Sequence, residues 1–204
     1  MRRGTSKDVG GPPDRGAALI DVVFAVGLVA VLSGIAIPAM QSAREYGAAR
    51  SGARYLAGRL QQARMESLKR NVAVAVRFDP DDASRLAVYG DGDGDGVLQS
   101  DIELGVDWLI TPAARLTDYL GPITLRINQD VPEPETGTPL TAGADPVRIG
   151  HSPLLSFSPL GTATSGTLYV AGPAGPQMAI RILGSTGRMR VLRFDTAARQ
   201  WRDD

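Results

Sequence analysis

AALIDVVFAVGLVAVLSGIAIPAM, residues 17–40, opens directly after Arg15-Gly16 and holds a single charge, Asp21. A carboxylate at mid-bilayer costs about 2.5 kcal/mol or more, so an acid in such a stretch needs a reason. The apolar run Val22–Ala39 is 18 residues long. That is near the lower limit for a helix crossing about 30 Å of hydrocarbon, and longer than the roughly 7–15 residues of a secretory signal core. The run is therefore expected to stay in place as an anchor. Residues 1–16, MRRGTSKDVGGPPDRG, carry Arg2, Arg3, Lys7 and Arg15 against Asp8 and Asp14, and read as a disordered cytoplasmic leader. This positive excess favours a cytoplasmic N-terminus and an external head, with Arg44 and Arg50 opposing it from the other side.

Outward from the anchor, roughly 160 of the 204 residues remain, enough for one globular domain. Lys plus Arg equal Asp plus Glu, so whole-chain charge gives no argument for a nucleic-acid partner. The absence of cysteine excludes disulfides, thiolate metal sites and cysteine nucleophiles. The lone His151 lies in a Gly-His-Ser-Pro turn without a cysteine or a recognisable nucleophile elbow, and the chain is read as a non-enzyme.

Residues 41–70 contain no proline, and Tyr46, Ala49, Ala53, Leu56, Leu60, Ala63 and Ser67 recur at steps of three and four. One narrow apolar stripe results, set among Arg44, Arg50, Arg54, Arg59, Arg64, Lys69 and Arg70. A helix from Ala17 to Leu68 extends about 78 Å at about 1.5 Å per residue. After Asn71 the pattern turns to short strands: 72–78, 86–89, 123–127, 154–157, 167–170, 178–183 and 189–194, with Gly184-Ser185-Thr186-Gly187 as the turn of the last hairpin. Residues 131–145, VPEPETGTPLTAGAD, hold too much Pro, Gly and Thr to pack and read as a mobile loop. The expected fold is α+β, a long helix, transmembrane in its first half, packed on an antiparallel β-sheet head. Its parts are a leader (1–16), a transmembrane helix (17–40), a periplasmic continuation (41–70) and the head (71–204).

Gly16 followed by Ala17-Ala18-Leu19-Ile20-Asp21, with Pro38 in the helix, resembles the class III signal of type IV pilins and type II secretion pseudopilins. The order LQQARMESLKRNVAVAVRF, a glycine-aspartate loop, FSPLGTATSGTLYV and STGRMRVLRF is similar to the GspH/FimT branch of minor pilins and pseudopilins, over most of the chain. The resemblance implies cleavage by prepilin peptidase between Gly16 and Ala17, N-methylation of Ala17, and filament assembly through Asp21 and Pro38. In the family the acid is thought to pair with a neighbouring subunit's N-terminal ammonium, which supplies a reason for the charge. The first mature residue, usually Phe, is Ala17, and the acid, usually Glu, is Asp21. The plain alternative is a single-pass anchor whose aspartate snorkels to the headgroups. Implied partners are other pilin or pseudopilin subunits, prepilin peptidase and inner-membrane lipid. The implied place is the bacterial inner membrane, with a periplasmic head, then a pseudopilus or pilus.

Two head motifs could bind ligands. Asp91-Gly92-Asp93-Gly94-Asp95-Gly96-Val97 spaces three carboxylates as the first half of an EF-hand does, although Ile102 stands where the bidentate acid belongs. A structural calcium ion held by Asp91, Asp93, Asp95, the Val97 carbonyl and Asp101 or Glu103 competes with a solvated acidic turn; no other cofactor is implied. Gly187-Arg188-Met189-Arg190, with Arg193 beyond and Arg181 on the preceding strand, aligns guanidinium groups at period two. In the FimT branch a GRxR segment of this kind is associated with DNA binding during uptake; a solvated edge strand is the competing reading. The function implied is a minor pseudopilin of a type II secretion system, or alternatively a FimT-type minor pilin that binds DNA.

Overall fold

The computed structural model describes residues 15–150 and 152–204, so the leader as far as Asp14 and His151 lie outside the described residues. The chain forms two units, Met1–Gln41 and Ser42–Asp204. The described part of the first is the opening of α1 (Arg15–Arg70), which stays helical through Pro38 although that residue has no amide hydrogen to donate. The side chains from Leu19 to Leu32 face outward and none is buried against the protein.

In the second unit, α1 ends where Asn71 takes a left-handed conformation (φ 56°), with Lys69 and Arg70 facing the negative end of the helix dipole. There follow β1 (Val74–Phe78), β2 (Arg85–Gly90), α2 (Gln99–Leu104), β3 (Trp108–Arg115), α3 (Thr117–Leu120) and β4 (Thr124–Leu125). Next are β5 (Val131–Pro132), β6 (Pro139–Leu140), β7 (Val147–Ile149) and β8 (Leu154–Phe157). The chain closes with β9 (Gly166–Ala171), β10 (Met178–Leu183), β11 (Arg188–Asp195) and β12 (Gln200–Asp203). Instead of one sheet there are two main ones, ordered β3-β2-β1-β8 and β12-β11-β10-β9-β4, with β7 also on β9, and a separate β5-β6 ribbon. Every pairing is antiparallel.

The helical stripe does what its spacing dictates. Ala49, Ala53, Leu56, Leu60 and Ala63 are buried against the inner faces of both sheets, where Val76, Phe78, Leu155, Leu168 and Ile180 meet them. Each fully buried leucine contributes about 1.5–3 kcal/mol relative to an exposed one. Ser67 closes the stripe by donating to the Arg64 carbonyl at 2.8 Å, so its buried hydroxyl is not left unsatisfied. Gly52 lets helix and head approach closely: a Cβ there would stand 2.4 Å from Ile123 Cγ2.

The stretch 131–145 does pack, contrary to its composition. Val131 and Leu140 bury themselves on the outer face of the second sheet, among Tyr169, Ala179, Leu192 and Phe194. The Trp201 indole donates to the Pro132 carbonyl at 2.6 Å, and Glu135 pairs with Arg181. Two apolar pegs and two polar ties outweigh the local preference for a loop. A third cluster, Ala75, Val97 and Leu154, with Tyr89 and Ile102 packed on it, covers the outer face of the first sheet beneath the aspartate loop.

Candidate functional site

In the opening of α1 the Gly16–Ala17 bond lies in the first helical turn, and Asp21 is exposed with no ion pair among the described residues. Leu19, Ile20, Val22, Val23, Phe24 and Val26 point to several sides of the helix, all of them largely exposed. An α-helix apolar all round needs lipid or other helices against it. Asp21 is then the charged group that such a neighbour must satisfy.

The aspartate loop connects β2 to α2. The Asp91 carboxylate is buried; Oδ1 accepts from the Gly94 amide at 2.7 Å and the Asp93 amide at 3.3 Å, and Oδ2 from the Gly96 amide at 3.1 Å. Carboxylate oxygens of Asp91, Asp93 and Asp95 lie within 4.8 Å of one another, close enough to share one hard cation. Burial, and then hydrogen bonding and charge from Asp93 with further charge from Asp101 and Asp91, push the Asp95 carboxyl above its ordinary pKa. A cation or proton would relieve that crowding.

The other expected ligands divide. Asp101 is near enough to act on Asp95 by charge, whereas Glu103 accepts a hydrogen bond from Gln99 at 2.6 Å on the exposed side of α2. The Val97 side chain is buried in the cluster below. Ile102, at the position where an EF-hand carries its bidentate acid, packs on the same cluster, which gives an apolar residue there a physical reason. Sequence reasoning missed Asp107. It is 3% exposed, and its two oxygens accept from the amides of Gly92 and Leu98, both at 2.9 Å, tying the two ends of the loop together. Nothing in the local spacing signals it, because the tie spans fifteen residues.

The arginine set is split by the strand it sits on. Arg190 stands opposite Arg181 in register, and each guanidinium has an acid: Asp203 binds Arg190 through both oxygens, and Glu135 binds Arg181. That pairing holds the Asp203 carboxyl below its usual range. Arg193 is three residues from Arg190 and so faces the other side, where its guanidinium lies 5.5 Å from the centroid of the Tyr46 ring on α1. It does not join the other two. Arg188 is exposed and forms no ion pair among the described residues. Gly187 has a structural role: at φ 59° it closes the hairpin, and a Cβ would stand 2.7 Å from the Gly161 carbonyl and 2.8 Å from Arg64 Nε. Beside Tyr46, Asp204 accepts from Arg50 Nε at 2.7 Å and lies 3.4 Å from Arg54, fastening the strand end to α1.

A family model described as type II transport protein GspH matches residues 52–187, from the glycine at the helix–head contact to the glycine of the last hairpin. Among solved structures, the crystal structure of the minor pseudopilin EpsH from the type II secretion system of Vibrio cholerae is similar. It is 19% identical, with 71% of this chain and 93% of that chain covered and a TM-score of 0.44. No curated protein matches the chain.

Proposed function

Because the chain belongs to the GspH family of type II transport proteins, we propose that it is made as a prepilin, cut between Gly16 and Ala17, and methylated at Ala17. It is then held in the inner membrane with its head in the periplasm, and is drawn through its N-terminal helix into a pseudopilus that serves protein secretion. Its work is mechanical and needs no catalytic group. The observation that carries this reading is the division of α1: residues from Ala49 to Ser67 hold the head, while Leu19 to Leu32 hold nothing within the chain. Asp21 supplies the polar contact to the neighbouring subunit, and Pro38 belongs to the same assembly segment. Changing Gly16→Leu tests the first step: an unprocessed precursor is expected on gels of cell membranes, and normal processing of this variant would remove the prepilin assignment.

A structural calcium ion belongs to the same proposal, held by Asp91, Asp93 and Asp95, with the Val97 carbonyl and Asp101 as its further ligands. Its support is the convergence of three carboxylates on a loop already shaped by backbone amides. For the alternative of a FimT-type subunit binding DNA, Arg188 and Arg193 form no ion pair among the described residues, whereas Arg190 and Arg181 are paired to acids.

A further inference from the structure

The outer face of the first sheet is covered over part of its width only. Ala75, Leu154 and Tyr89 pack with Val97 of the aspartate loop and Ile102 of α2. Arg77 belongs to the same face, two residues on from Ala75 along β1 and in register with Ala87 on β2 and Leu154 on β8. Beside it opens a cleft of about 240 Å³, lined by Arg77, Asp79, Arg85, Ala87, Tyr89 and Ala113. Arg77 forms no ion pair among the described residues, and its Nε is screened from solvent without an acceptor. The arginines nearby are matched: Arg85 lies 3.8 Å from Asp79, and Arg115 donates to Asp82 at 2.8 Å. Asp79 is held from its other side, its Oδ1 accepting from the Asp81 amide at 3.0 Å.

A half-buried guanidinium whose Nε has no acceptor is costly, and here it stands among arginines whose charges are met. Arg77 and Arg85 against Asp79 leave the cleft with an excess of one positive charge. A single carboxylate cancels that excess, and a guanidinium fork can meet both of its oxygens at once. Ala87 and Ala113 are short, which leaves room for the methylene stem of an aspartate or glutamate. A phosphate dianion overshoots the charge and is repelled by Asp79. We propose that this cleft receives an acidic side chain of a different filament subunit, with Arg77 as its anchor. The inference rests on the pseudopilin reading and deepens it by naming a surface of the head and the chemistry of the partner. The competing role for Arg77 is packing alone, its stem laid over Ala87, which is only 6% exposed. The two roles differ in what loss of the guanidinium does to stability.

Full-length protein in detergent micelles is titrated with acetyl-Gly-Glu-Gly-amide, with its Gln counterpart and with inorganic phosphate. Binding is followed by NMR through the amide signals of Ala87 and Ala113 and the guanidinium signal of Arg77. The Glu peptide is expected to shift these signals saturably, and the Gln peptide to bind at least about tenfold more weakly, the factor that one charge-assisted hydrogen bond carries. Arg77→Lys should keep the charge but lose the two-pronged contact, and bind the Glu peptide several-fold more weakly. Arg77→Met should lose the response and melt no lower than the parent, because it removes a donor that has no acceptor. In cells, R77M and R77E should both reduce recovery of the chain with sedimented filaments while processing at Gly16 stays intact. Equal binding of the two peptides, preference for phosphate, an Arg77-dependent dimer of this chain, undiminished recovery of both variants, or a lower melting temperature for R77M would overturn the proposal. If processing and sedimentation hold in the unaltered chain while these responses fail, only the cleft contact falls; if they fail in the unaltered chain, the assembly reading falls and the contact with it.

Discussion

The two stretches of α1 have the same backbone and opposite needs. From Ala49 to Ser67 a narrow stripe is buried and the rest of the surface is charged, so the helix is satisfied by its own head. From Leu19 to Leu32 the apolar side chains are outward on every side, with Asp21 among them, so satisfaction has to come from other molecules. Helical structure alone therefore says little about role. The width of the apolar surface separates a helix that holds its own domain from one whose partners must lie outside the chain.

That contrast can be broken at several points. The largest effect is expected for Asp21→Ala, which should abolish recovery of the chain with filaments and the associated secretion while leaving the melting of the head unchanged. Undiminished assembly would take Asp21 out of the subunit contact. Leu60→Ala should lower the unfolding free energy of the head by about 2–5 kcal/mol, whereas Leu28→Ala should leave it within about 0.5 kcal/mol. Comparable losses from both in chemical denaturation would erase the distinction between the two stretches.

Smaller effects sharpen it within the head. Calcium at about a hundred times its dissociation constant should add about 2.7 kcal/mol, read as a rise of several degrees in melting temperature that chelator reverses. Asp95→Asn should lose this response and, in chelator, melt no lower than the parent, because it removes a crowded charge. An unchanged melt of the parent with calcium assigns the loop to a solvated turn. Gly52→Ala should cost about 1–3 kcal/mol through overpacking against Ile123, and a neutral result would show that Ile123 can yield.

Where side-chain periodicity decided the outcome, the sequence was readable. The stripe from Ala49 to Ser67 is buried as spaced, and β8 and β10 have the bounds their apolar runs indicate. Where tertiary partners decided it, the sequence was silent. Val131 and Leu140 look isolated among prolines and glycines until Trp201 and Tyr169 are placed beneath them. Strand β12, QWRD, has only one apolar residue, and β3 carries Pro112 and is exposed on both faces, so neither shows the alternation of a half-buried strand. In the aspartate loop, the three clustered acids were legible from their spacing, but Asp107 was not. The face of Arg193 could have been read by parity, three residues from Arg190, without any structure.

Strand β9 pairs with β10 along one edge and with both β4 and β7 along the other, and all six of its residues are buried. Its partners come from residues 124–125, 147–149 and 178–183, so three distant segments depend on one short stretch late in the chain. During synthesis, β4 and β7 have nothing to pair with until residues 166–171 arrive. Loop closure over such separations slows folding. A subunit whose anchor is made first must therefore wait, with the second sheet unformed, until nearly its whole head has been made.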